Sequence, residues 1–420
     1  MNEPLAFDAA LATIRDCCRL LPAEAVALVD AAGRVLASPV EAPRPLPPFD
    51  NAGMDGFALR WTPDLAAGSE LAVIAEQAAG DGIAGQAADA CSIMTGARLP
   101  DGLDTVVPVE DCRVLSRDAE GRPTRIALAA LPAAGQYVRR AGSDVAPGQQ
   151  LLAAGIRLDE EALMVLRGIG LRNVLVRRRP RLALACTGRE LVDADGAELA
   201  PGQIANTNGP YLERLLAEAG ADVVERVTVT DSPEALAPVL ARWLADGIEL
   251  VVTTGAVSKG RYDFVPDVLA SLGADVRFHS LRMRPGRPLL FATAGRGSLL
   301  FGLPGNPISS AIGARFFIDA AVRAMTGRPA ETPVQLPLAA DVRKKPGIRL
   351  VQKAALALSA DGRLSVRVLA GQESFRTAPL LEARAWAMLP EADTHLQAGC
   401  LVAVHPLRPG ATSCLDPSPA

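Results

Sequence analysis

Leu299-Leu300-Phe301-Gly302-Leu303-Pro304-Gly305-Asn306-Pro307-Ile308-Ser309-Ser310 reads as a short apolar strand, a stiff turn and the start of a helix. Pro304 and Pro307 fix φ on either side of the turn, and Gly305 between them can take the φ > 0 conformation that other residues resist. Ser309 and Ser310 fall where the following helix has backbone N–H groups without helical partners, a place that attracts phosphate or another oxyanion. The predicted helix, ISSAIGARFFIDAAVRAM, then runs on with an apolar face. Such a junction is also a plain strand-to-helix connector, so its meaning depends on the flanking sequence.

Working outward, Arg181 to Gly327 alternates strands with helices. RLALACTG reads as a strand, 209–219 as a helix and DVVERVTVTD as a strand. SPEALAPVLARWLADG follows as a helix, IELVVTTG as a strand, 264–272 as a short helix, and VRFHSLRM and SLLFGLPG as strands. That rhythm predicts a mostly parallel, doubly wound sheet. Upstream, Phe7, Leu11, Ile14, Cys18 and Leu21 recur at helical spacing within 4–21. The run Ala42–Pro48 reads as an extended linker. Residues 50 to about 140 read as short strands and turns, and 141–179 holds a helix from Asp159 to Arg167 and the run Arg177-Arg178-Arg179, read as solvated linker. After Pro333 only strand-like runs remain. The predicted fold class is multidomain α/β. Residues 1–45 and 141–179 form a helical linker and dimerisation domain, 46–140 a β-rich inserted domain, 180–330 the central doubly wound α/β domain, and 331–412 a C-terminal β-barrel-like domain.

Composition narrows the chemistry. The 420 residues carry a net charge of −4, with no basic excess to displace counterions from nucleic acid. MNEPLAFDAALATIRDCC has neither the basic nor the apolar part of a secretory signal, and no apolar run reaches the roughly 18 residues of a membrane span. Seven cysteines without CxxC spacing suggest reduced cytoplasmic thiols. Three histidines, His279, His395 and His405, scattered in the C-terminal third, argue against a His-rich zinc site or a Ser-His-Asp triad. Carboxylates must then carry any metal or acid–base work.

Two more strand ends resemble the opening turn: Cys186-Thr187-Gly188-Arg189-Glu190 and Thr253-Thr254-Gly255-Ala256-Val257-Ser258. Ligands of open α/β sheets bind beyond the carboxyl ends of the strands, so Thr187, Gly255, Ser258, Pro304, Asn306, Pro307 and Ser309 are candidate pocket residues. Arg284 and Arg287, in Arg282-Met283-Arg284-Pro285-Gly286-Arg287-Pro288, suit a bidentate grip on a tetrahedral oxyanion. Glu190, Asp231 and Asp263 punctuate the turns, and carboxylates at strand ends facing phosphate suit hydrated Mg²⁺. No G-x-G-x-x-G or P-loop sequence occurs.

Eight ordered segments carry a family resemblance: PFDNAGMDGFA, IMTGARLPDGLDTVVPVED, AGSDVAPGQ, CTGRELV, PGQIANTN, TTGAVSKGRYDF, RMRPGRPLLF and GLPGNPISS. Over about residues 5–410 the chain resembles the molybdopterin molybdenumtransferases, the MoeA type, also the E domain of gephyrin. The resemblance implies a cytoplasmic homodimer of four-domain chains that inserts molybdenum from molybdate into adenylylated molybdopterin and releases AMP, assisted by Mg²⁺. By motif position it implies Asp55, Asp144, Glu190, Asp231 and Asp263 as the acidic functional residues, with Glu190, Asp231 and Asp263 toward the metal. It places Ser374 of Gly371-Gln372-Glu373-Ser374 beside Arg284, Arg287 and Ser309 at the oxyanion. A molybdopterin adenylyltransferase and acceptor molybdoenzymes are the implied protein partners, with no nucleic acid and no membrane.

The chain also departs from the family pattern. Ala256 stands where Gly is common, arginines replace the two lysines of the Lys-Pro-Gly-Lys-Pro motif, and Arg349 and Lys353 are the stand-ins for a blurred basic stretch. Arg and Lys bind oxyanions differently, which leaves open a subgroup that inserts tungsten or serves a dedicated acceptor enzyme. A non-catalytic molybdopterin-binding scaffold is the remaining alternative.

Overall fold

Alternation along single strands builds the central unit. Leu182, Leu184 and Cys186 join one apolar core, while Ala183 and Ala185 between them join another on the opposite face of the sheet. Both faces are therefore covered, which is why these strands read as unbroken apolar runs. The computed structural model describes residues 3–82, 89–193, 196, 198–257, 264–295 and 297–409.

Helix α1 (Phe7–Cys17) is followed by two β-rich stretches and α2 (Glu160–Gly168), which Asp159 caps by accepting from the Ala162 N–H at 2.9 Å. Residues 23–27 pair antiparallel with 173–177, and 40–41 with 150–152. These segments share a core that includes Leu28, Leu36, Leu158, Leu166 and Val176. Between them, a six-stranded sheet with its own two apolar clusters occupies the stretch predicted to be a β-rich insert.

The central unit contains β1 (Arg181–Thr187), α3 (Asn208–Ala219), β2 (Asp222–Val229), α4 (Pro233–Ala245), β3 (Leu250–Thr254), α5 (Val265–Ser271) and β4 (Asp275–Phe278). Then come β5 (Met283–Arg284), β6 (Leu290–Ala294), β7 (Ser298–Leu303), α6 (Pro307–Ile312) and α7 (Asp319–Thr326). A π-helical stretch, Gly313–Ile318, joins α6 to α7. The sheet order is β2-β1-β3-β7-β6-β4, parallel from β2 to β7 and antiparallel through β6 and β4. The C-terminal unit contributes β8 (Val334–Pro337), β9 (Arg349–Leu358), β10 (Leu364–Val368), β11 (Ala385–Leu389) and β12 (Leu401–Pro406). With β5 they form a third six-stranded sheet, β5-β9-β11-β12-β8, with β10 on β9. Among the described residues no helix is long and apolar enough to cross a membrane.

The expected multidomain α/β class is what the fold shows, with four local differences. VRFHSLRM is not one strand: β4 ends at Phe278, and Met283–Arg284 pair with Arg349–Leu350 of the C-terminal sheet instead. β6 was not anticipated, because a short apolar run beside Pro288 lacks any diagnostic period. Residues 23–45 pack with 141–179 as one unit, but α1 does not join them. The apolar face of α1 packs into the α/β core, with the Phe7 ring 5.9 and 5.0 Å from those of Phe316 and Phe317. Nor is Arg177–Arg179 a solvated linker: Arg177 donates to the Leu21 and Ala37 carbonyls, and Arg178 pairs with Glu249 at the edge of the α/β unit.

Candidate active site

Because β1, β3 and β7 are neighbours, their carboxyl ends form one rim. The Thr187 hydroxyl donates to the Thr254 carbonyl at 3.1 Å, and the Gly255 N–H donates to the Leu303 carbonyl at 3.0 Å. Gly255 has φ +91°, and a Cβ there would lie 2.5 Å from Thr187 Oγ1 and 2.7 Å from the Thr187 carbonyl oxygen. Only glycine fits. Ala256 beside it also takes a left-handed conformation, φ +50°, so the departure from glycine carries backbone strain of about 1 kcal/mol. The turn of β7 leans on this rim: Asn208 Nδ2 donates to the Gly305 carbonyl at 2.7 Å.

Next to the rim opens a pocket of about 720 Å³, large enough for a ligand of cofactor size. Arg284, Arg287, Pro304, Asn306 and Ser309 line it from the α/β side, and Gln352 and Ser374 from the C-terminal unit. The Ile308 N–H donates to the Ser374 carbonyl at 3.0 Å and stitches the two walls together. Asn306 caps α6 without using its side chain, which leaves the amide to the pocket. Ser310, by contrast, has its hydroxyl tied to the Pro304 carbonyl. Arg284 and Arg287 are exposed and pair with no carboxylate among the described residues. Their charges are available to an anionic ligand.

The acidic candidates fall into two groups. Thr187 pairs with Val229 across β1 and β2, so Glu190 and Asp231 follow the ends of adjacent strands. Asp231 Oδ2 accepts the Arg189 N–H at 3.3 Å. Asp55 and Asp144 are exposed and do not line the pocket. Asp55 accepts the Thr95 N–H at 2.6 Å, and that bond with a second from the Thr95 hydroxyl holds its carboxyl below the usual range. Asp263 and Ser258 lie outside the described residues. Among the described residues no three His, Cys, Asp or Glu side chains converge as a metal site. At the rim, Glu190 and Asp231 offer hard oxygen donors of the kind Mg²⁺ accepts together with ligand oxygens.

Family models match nearly the whole chain: the MoeA N-terminal region (domains I and II) at 5–170, a probable molybdopterin-binding domain at 183–324, and the MoeA C-terminal region (domain IV) at 335–407. The molybdopterin molybdenumtransferase of Synechococcus elongatus is 38% identical over 396 residues, covering 92% of this chain and 95% of its own. The chain belongs to the molybdopterin molybdenumtransferase family. Molybdopterin molybdenumtransferase 2 of Mycobacterium tuberculosis is 35% identical over 72% of this chain and 75% of its own. The crystal structure of the molybdopterin biosynthesis moeA protein from Pyrococcus horikoshii OT3 superposes with a TM-score of 0.76, at 25% identity over 96% of this chain and 99% of that one. As a molybdopterin molybdenumtransferase family member, the chain is an enzyme of molybdenum cofactor biosynthesis.

Within this family frame, the two basic stand-ins are not at the pocket. Arg349 is held by Asp8 at 2.7 Å and Glu391 at 2.9 Å, with its guanidinium 4.9 Å from the Phe7 ring centroid. It fastens α1 to the C-terminal sheet. Lys353 is fully buried and donates to the Arg376 carbonyl at 2.8 Å; burial lowers its pKa. Thr187 also misses the pocket, its hydroxyl being bound to backbone. Reading the sequence missed Gln352, which lines the pocket, and Asn208, which braces the turn. Strand parity could have found the first: with Arg349 on one face of β9, Leu350 and Gln352 fall on the other.

Proposed function

We propose that the chain inserts molybdenum from molybdate into adenylylated molybdopterin, releasing AMP, at the pocket between the α/β unit and the C-terminal sheet. The observation that carries this is the pair of exposed arginines, Arg284 and Arg287, lining one pocket with Ser309 and Ser374. A doubly charged tetrahedral oxyanion finds there two guanidinium forks and two hydroxyl donors. Holding molybdate beside the dithiolene makes the transfer effectively intramolecular. The dithiolene brings the soft sulfur ligands; among the described residues no cysteine lines the pocket. Pro304 and Pro307 keep the turn stiff, so Asn306 and Ser309 are positioned before substrate arrives.

Mg²⁺ is proposed as the cofactor, with Glu190, Asp231 and Asp263 as its candidate side chains. When bound, it would supply charge neutralisation at the scissile phosphate. Asp231 and Glu190 stand at adjacent strand ends on the rim. Asp55 and Asp144 are proposed to act from a second copy of the chain, since no described residue of 46–179 lines the pocket of its own chain. The working unit is then a cytoplasmic homodimer, fed by an adenylyltransferase and emptied by acceptor molybdoenzymes.

Reconstitution of an apo-molybdoenzyme from adenylylated molybdopterin, molybdate, Mg²⁺ and this protein, with AMP followed, tests the reaction. Mixing an Asp55→Asn chain with an Arg284→Ala chain tests the assembly. Shared pockets regain activity in the mixed dimer, and self-contained pockets do not.

A further inference from the structure

Side chains alternate across a strand, so Leu350 and Gln352 share one face of β9 while Val351 and Lys353 share the other. Both Leu350 and Gln352 line the pocket, and Val351 sits in the α/β core. Arg284 pairs in parallel register with Leu350, which puts its side chain on the same face. Gln352 follows two residues further along, about 7 Å away.

Gln352 is only 9% exposed. Among the described residues its side chain makes one hydrogen bond, from Nε2 to the Val351 carbonyl at 3.4 Å, longer than a well-formed N–H···O contact. Its amide oxygen and second N–H have no protein partner there. Gln372, the other glutamine at the pocket, is saturated: Oε1 accepts the Lys353 N–H at 2.9 Å, and Nε2 donates to the Lys353 and Leu369 carbonyls, both at 2.8 Å. Glu373 is paired with Arg376 at 3.1 Å. The amide oxygen is not among the described buried atoms left without a partner, so it opens to the pocket, where a ligand can replace water at the unpaired positions of the amide.

We propose that Gln352 donates its free amide N–H to the oxyanion gripped by Arg284 and Arg287, and so sets how tightly the pocket holds molybdate. The inference rests on the proposed reaction. In this chain the amide occupies the role that sequence reading offered to Lys353, whose ammonium is turned to the opposite face.

The test is titration calorimetry of sodium molybdate into the full-length protein, alongside insertion kinetics, for wild type, Gln352→Leu, Gln352→Asn and Gln352→Glu. Losing one hydrogen bond to a charged acceptor should raise the molybdate Kd and KM of Gln352→Leu about tenfold or more. Its kcat at saturating molybdate should stay near wild type, and its melting temperature should not fall. Gln352→Glu should abolish molybdate binding. A purely packing role would lower the melting temperature and leave the molybdate KM unchanged, which overturns the proposal. So does an unchanged molybdate Kd with a raised KM for adenylylated molybdopterin, since the amide would then read the pterin. Should Gln352→Leu fail to fold, Gln352→Asn decides: its amide is withdrawn by one methylene, so a raised Kd supports the role and a wild-type Kd removes it. A wild-type protein that neither binds molybdate nor releases AMP removes the proposed reaction and this role together. Wild-type activity with an indifferent Gln352→Leu removes this role alone.

Discussion

Arg315 and Arg284 both stand where the α/β unit meets the C-terminal sheet, and they are held in opposite ways. Arg315 is 1% exposed. Its guanidinium reaches both Glu331 oxygens at 2.6 and 3.0 Å, its Nε donates to the Pro406 carbonyl at 3.1 Å, and Asp319 lies 3.6 Å away. Glu331 also bonds His405 at 3.2 Å. Arg284 is exposed, fixed only through its backbone in β5, and unmatched by any described carboxylate. Where its charge is balanced, arginine is a fastener. Where it is left unbalanced at a pocket mouth, it keeps its field for a ligand.

The sharpest way to break this contrast is substitution at each site. Arg284→Ala should cut the rate of molybdenum insertion by about 10²–10³ while leaving the melting temperature nearly unchanged. Arg315→Met should do the reverse. It takes both guanidinium bonds from Glu331, while Asp319 keeps Arg323 at 2.8 Å, and lowers unfolding free energy by about 3 kcal/mol in urea titrations. If Arg284→Ala were the destabilised one, the assignment of roles would fall.

The contrast also has a pH signature. Burial alone would raise the Glu331 pKa, but hydrogen bonds from His405 and Arg315 pull it from 4.5 down to about 2. Because the folded value is the lower one, the stabilisation is fully present above about pH 5 and is lost as pH falls from about 4.5 toward 2. Urea melts between pH 7 and 3 should therefore show a loss of about 2 kcal/mol that Glu331→Gln flattens. Arg284→Ala should leave the slope as in wild type. The smallest effect concerns the rim: Ala256→Gly relieves a left-handed alanine and should change stability by no more than about 1 kcal/mol, after the added freedom of the unfolded chain is counted. Its melting curve, read beside the insertion rate, shows whether that strain serves the site.

The doubly wound sheet was legible because Leu182–Cys186 and Leu250–Thr254 are apolar on both faces and are separated by helices of clear period. So was the turn at 304–307, whose prolines fix their own φ, although Gly305 does not take the positive φ expected of it. β6 was not legible, nor was the departure of residues 279–284 from the sheet, because short apolar runs carry no mark of which sheet they join. Lys353 and Gln352 show a different blindness. They are adjacent in sequence, and only the register of β9 against β5 tells which of the two faces the pocket. The φ of Ala256 is likewise imposed by the packed rim.

Met283–Arg284 belong by sequence to the α/β unit and by hydrogen bonding to the C-terminal sheet. The two units therefore cannot be separated by cutting the chain at the end of α7. A fragment ending there would keep its parallel strands and its phosphate-type rim, yet its principal guanidinium would hang from a two-residue segment stripped of its strand partner. Inheritance of the C-terminal sheet is in this sense a condition for inheriting the site, and a graft of one unit without the other would carry the fold and leave the chemistry behind.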